Sequence, residues 1–161
     1  MGLDLHLRRS GRHVYGRSYG AYHHAKSVLC EYYDIANFPQ FYFPYKKKEG
    51  SCPIVDLTMM KRLIKDNDKE RDKIEAYKKF LTLLKEKGIQ PLGMMILHSD
   101  CDGFIPWEYS EKMIPFIEPV VSNIPIINGE EYFDDYGVEV LLELLNAFKL
   151  SAEEKDDIIF A

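Results

Sequence analysis

Leu3, Leu5 and Leu7 alternate with Asp4, His6 and Arg8 at the start of the chain. A period of two over that length predicts a half-buried strand whose polar face carries an acid, an imidazole and a guanidinium in a row. Residues 9–18 are rich in Arg, Gly and Ser and predict a loop. From Ser18 the spacing turns helical, with Tyr22, Ala25, Leu29, Tyr32 and Tyr33 on one side and Ser18 placed to cap the first turn. Pro39, Pro44 and Pro53, set among Phe38, Phe41, Tyr42, Phe43 and Tyr45, preclude a regular helix over 35–55 and leave an aromatic-rich excursion. Asp56 then opens a helical segment carrying Leu57, Met60, Leu63 and Ile64. A second apolar stripe, Ile74, Tyr77, Phe80, Leu81 and Leu84, is ended by Gly88.

The unbroken apolar run behind His98 predicts a strand at 92–97, and Pro106 suits the first position of a helix. Pro115, Pro119 and Pro125 confine that helix to 107–114 and leave 115–128 irregular. A strongly apolar helix spans roughly 133–149, with Val138, Leu141, Leu142, Leu145 and Phe148 as its buried stripe. Asp157-Ile-Ile-Phe-Ala161 reads as a closing strand. The expected fold is α+β, one domain over 1–161. A small sheet of the N-terminal, 92–97 and C-terminal strands is covered by four to five helices.

Composition is that of an ordinary globular chain, with 46% hydrophobic and 29% charged residues. No stretch reaches the ~18 apolar residues that cross a bilayer, and the first residues lack the basic-then-apolar order of a signal peptide. Three cysteines, Cys30, Cys52 and Cys101, have no CxxC spacing; they predict a reducing cytoplasm rather than a disulfide framework. Charge changes the picture more. Net charge is −5, yet Arg8, Arg9, Arg12, Arg17 and Lys26 face only Asp4 in the first 26 residues. Arginine forks suit phosphate and carboxylate groups, so the opening predicts a small anionic partner. The acidic remainder argues against long nucleic acid.

The loop His98-Ser-Asp-Cys-Asp-Gly103 sets an imidazole and two carboxylates at alternate positions between predicted strand and helix. Against the twelve-residue calcium loop, Gly103 falls in register, but His98 and Tyr109 stand where carboxylates belong. Imidazole with carboxylates suits a divalent transition metal held by His98, Asp100 and Asp102, with Asp4 or His6 completing the shell. The metal-free alternative is a cleft of Asp4, His6, Arg8, Arg17, Tyr19, His23, Lys26 and His98 around a nucleotide-like ligand, with the aromatic residues available to stack on a base.

Met1-Gly-Leu-Asp-Leu, Ser18-Tyr-Gly-Ala-Tyr-His-His-Ala-Lys26 and His98-Ser-Asp-Cys-Asp-Gly103 together resemble a group of small proteins of tailed bacteriophages and prophages. In that group the first-helix motif ends in arginine, where this chain has Lys26. The resemblance implies a phage setting in a host cytoplasm and three stretches that meet in space, but no activity. The first expectation is a phage accessory protein that sequesters a small anionic, nucleotide-like ligand, such as a host defence signal. The second is a metal-dependent phosphoester hydrolase with His6 or His23 as general acid or base. The third is an inhibitor of a host protein acting through the acidic residues of 129–161.

Overall fold

The alternating leucines form a strand, as their spacing predicts. The structure, a computed structural model, describes residues 2–35, 68–98, 103–123, 126–127, 130–131 and 135–161. Its elements are β1 (Gly2–Leu7), β2 (His13–Ser18), α1 (Tyr19–Tyr32), α2 (Asp68–Glu86), a 3₁₀ turn (Gln90–Leu92), α3 (Gly93–Ile96), β3 (Gly103–Ile105), α4 (Trp107–Ser122), β4 (Ile126–Ile127), β5 (Glu130–Glu131), α5 (Asp135–Glu154) and β6 (Ile158–Phe160). The aromatic excursion, the segment opened by Asp56, and Cys52, Asp100, Cys101 and Asp102 lie outside the described residues.

The architecture is α+β. A four-stranded antiparallel sheet runs β2-β1-β6-β3, and β4 pairs with β5 apart from it. The closing strand therefore sits in the middle, with Leu5 opposite Phe160 on one side and Gly103 opposite Phe160 on the other. Leu3, Leu5, Leu7, Ile105, Ile158 and Phe160 turn inward and are buried against Tyr22, Leu29, Met94, Met95 and Phe148. Burying each such leucine contributes roughly 1.5–3 kcal/mol, which makes β1 the energetic keel of the sheet. Helix α5 packs on both α1 and α4. No described helix is long and apolar enough to cross a membrane.

Four expectations need correction. Residues 9–18 are not all loop, because 13–18 form β2, turned back through the left-handed Gly11 (φ 66°). The run at 92–97 is no strand but a 3₁₀ turn entering α3. Leu92 to Leu97 is buried throughout. A run buried on all sides has no periodicity to read, and Pro91 with Met94 and Met95 favours the helical turn. Helix α4 continues to Ser122 through Pro115 and Pro119. Four residues apart, the two prolines share one side of the helix, with Pro115 exposed, while Met113, Ile117 and Val120 on the other side are buried. That burial outweighs the lost hydrogen bonds. In α5, Leu142 is 46% exposed, and Val140, Leu141, Leu144, Leu145 and Phe148 form the buried stripe.

Candidate functional site on the open face of the sheet

Asp4 and His6 point away from the core, as the alternation requires. What the sequence does not reveal is His13. The register runs Leu5 opposite Tyr15 and then His6 opposite His13, so Val14 is an extra residue and β2 carries a bulge there. Without the bulge, Val14 would face His6; with it, His13 is re-aimed onto the solvent side, a common use of such irregularities. His13 Nε2 lies 3.1 Å from Asp4 Oδ1, with both side chains about half exposed (53% and 55%). The His13 ring meets that of His6 edge-on, with centroids 5.1 Å apart. Gly16 leaves the room for this pair, since a Cβ there would stand 2.8 Å from both Asp4 Oδ1 and His13 Nε2. A carboxylate only accepts, so His13 donates from Nε2 to Asp4.

The same face continues across the sheet. His6 is opposite Ile159, and Ile159 is opposite Phe104; all three are partly exposed. The Arg8 guanidinium lies over the Phe104 ring, 5.4 Å from its centroid. Imidazole, imidazole, aliphatic and phenyl groups thus form one row from β2 to β3, with Arg8 at its far end.

The N-terminal arginines take carboxylates of the chain's own last third. Arg8 reaches Asp157 at 3.4 Å and Arg12 reaches Glu154 at 3.0 Å. The Arg9 guanidinium donates to the carbonyls of Glu154 and Lys155, capping the end of α5. Asp156, only 4% exposed, accepts the backbone N–H groups of Arg9 and Ser10. Burial alone would raise its pKa, but these N–H bonds and the Arg9 charge hold the carboxyl below its ordinary value. Arg17 lies opposite Leu3 and so leaves the sheet on the helix side, where it binds Glu139 (2.8 Å) and Glu143 (2.6 Å) and crosses the Tyr136 ring. Hydrogen bonding to Arg17 holds the Glu143 carboxyl below the usual carboxylate range.

His98 is a core side chain, 1% exposed. Its ring stacks on Phe160 at 4.0 Å, and Nε2 lies 3.1 Å from the Phe104 carbonyl, to which it donates. Gly103 is required beside it, because its φ is +108° and a Cβ would stand 3.3 Å from the ring. Lys26, also buried, donates to the His98 carbonyl at 2.7 Å, and the Tyr22 hydroxyl donates to Met95 O at 2.9 Å. These contacts close the exit from α3.

The residues read as one cleft therefore divide. Asp4, His6 and Arg8 share the open face with the unforeseen His13. Arg17, Lys26 and His98 lie on the other side of the sheet, holding the helices. Tyr19 is partly buried at the start of α1, packed against the core, and His23 is exposed on α1. No common hollow joins Asp4, Arg17 and His98, because the sheet separates Asp4 from the other two. Among the described residues no group of three His, Cys, Asp or Glu side chains is arranged to hold a metal ion. Asp100 and Asp102 lie outside them. Comparison of the chain with protein-family models, curated proteins and solved structures finds no match.

Proposed function

We propose that the protein is a binding protein that sequesters a small anionic, nucleotide-like ligand on the solvent face of its sheet. The observation that carries this reading is the row His13–His6–Ile159–Phe104 with Arg8 beside it. Imidazoles and a guanidinium supply N–H donors for phosphate oxygens, and flat rings supply a surface for a base. The bulge at Val14 and the clearance at Gly16 add support, since together they bring His13 to Asp4 on the solvent face. Sequestration inside an infected host cell follows from the phage resemblance as the setting of this reading. Of the N-terminal arginines only Arg8 belongs to it, because its guanidinium, though it also reaches Asp157, lies over Phe104 on this face, whereas the others turn to carboxylates or carbonyls of α5 and the residues beside it.

A thermal-shift screen of inorganic phosphate, mononucleotides and cyclic nucleotides tests the proposal. A nucleotide should stabilise the protein. His6→Ala and His13→Ala should each remove that stabilisation. No shift with any nucleotide, or a shift that survives both substitutions, would overturn it.

A further inference from the structure

Sequestration leaves one residue unexplained. A face that only holds an anion gains nothing from a carboxylate among its donors, because Asp4 takes the His13 Nε2–H at 3.1 Å and repels a phosphate. Nor does the pair serve the fold, since both side chains are about half exposed and ion pairs that open contribute little to stability. It is, however, what proton transfer needs. With Nε2–H given to Asp4, the lone pair of His13 lies on Nδ1, and the carboxylate stabilises the imidazolium formed when Nδ1 takes a proton. His6 supplies a second imidazole in edge contact, its ring centroid 5.1 Å away. A Cβ at position 16 would stand 2.8 Å from both Asp4 Oδ1 and His13 Nε2, so this arrangement exists only over a glycine.

We propose that this face cleaves phosphodiesters that carry a neighbouring ribose 2′-hydroxyl, with His13 as general base and His6 as general acid. Such a substrate brings its own nucleophile, which suits a face of imidazoles and a carboxylate. His13 Nδ1 takes the proton of the 2′-hydroxyl, and the 2′-oxygen bonds to phosphorus as the bond from phosphorus to the 5′-oxygen breaks. His6, in its protonated form, gives its proton to that 5′-oxygen. The products are a 2′,3′-cyclic phosphate and a 5′-hydroxyl, and the step consumes no other reactant. Entering and leaving oxygens stand in line on opposite sides of phosphorus, so two imidazoles in contact can each reach one. Asp4 touches His13 and not the substrate, which makes it a positioning residue. This rests on the reading of the face as a nucleotide site and gives the bound ligand a fate.

Incubation in EDTA with a short dye–quencher oligoribonucleotide containing all four bases, and with the same strand carrying 2′-O-methyl riboses, tests the proposal. The ribo strand should be cut to fragments ending in 2′,3′-cyclic phosphate, read by mass spectrometry, and the methylated strand should stay intact. His6→Ala and His13→Ala, both on the solvent side of the sheet, should keep the wild-type melting temperature and each lose about 100-fold or more in rate. Asp4→Asn should lower kcat at least about tenfold with KM unchanged, a split that a merely structural role would not produce. An uncut ribo strand, equal cutting of the methylated strand, or full activity in either histidine variant would overturn the proposal. If the uncut strand still stabilises the protein in a thermal-shift assay, and both alanine variants lose that stabilisation, only catalysis falls and nucleotide binding stands. If neither strand is cut or bound, both readings fall.

Discussion

Asp156→Ala should destabilise the protein far more than Arg9→Ala, although the two residues form one ion pair. The Asp156 carboxylate receives the backbone N–H of Arg9 at 2.9 Å and that of Ser10 at 3.3 Å, and its side chain is 4% exposed. Truncation leaves two main-chain donors without their acceptor, at about 1–3 kcal/mol each where water cannot replace it. Ser10 and Arg9 lie at an exposed hairpin tip, so water recovers part of this, and a total of about 2–3 kcal/mol is expected. The Arg9 side chain is 70% exposed, so its loss should cost about 1 kcal/mol or less. Urea unfolding at pH 7 measures both. The pH dependence has a definite sign: the folded-state pKa of Asp156 is depressed. Its contribution is therefore complete above the ordinary carboxylate value and is lost as pH falls through the lower folded value. Asp156→Asn should flatten that acid limb. Equal costs for Asp156→Ala and Arg9→Ala, or an unchanged acid limb, would refute the claim that the backbone amides carry this joint.

Gly16→Ala should keep the fold, because the added Cβ meets only side-chain ends and alanine recovers up to about 1 kcal/mol of strand propensity. It should nevertheless part Asp4 from His13, and a crystal structure of the variant retaining the 3.1 Å contact would contradict this. Gly103→Ala should cost about 2 kcal/mol or more, combining strain at φ +108° with crowding of the His98 ring; an unchanged melting temperature would count against the packing described. Burial pushes the Cys30 thiol up to about 12. Peptide mapping after alkylation at pH 8 should therefore find Cys30 unmodified in folded protein and modified in urea.

Local patterns carried much of the fold. Alternation fixed β1 and its inward leucines, Ser18 does cap α1 by accepting from Ala21 N–H, and the apolar stripe located α5. Non-local facts were hidden. Nothing in Ser-Gly-Arg-His-Val-Tyr-Gly announces a strand, since β2 is held there by pairing with β1. The bulge that makes His13 a neighbour of Asp4 is a matter of register between two strands, which no single-strand pattern encodes. The uneven charge was legible, but its meaning was not: the acids that answer Arg8, Arg9, Arg12 and Arg17 lie more than 120 residues away. His98 drew attention as a polar loop residue and proved to be core, because its ring finds Phe160 and a carbonyl rather than solvent.

The most direct test of the open-face site is a titration of isotope-labelled protein with AMP, followed through the imidazole nitrogen resonances. The site described here predicts saturable shifts at His6 and His13, with His98 unmoved beneath the sheet. Unchanged His6 and His13 signals at high nucleotide concentration, or saturable shifts confined to other histidines, would contradict it.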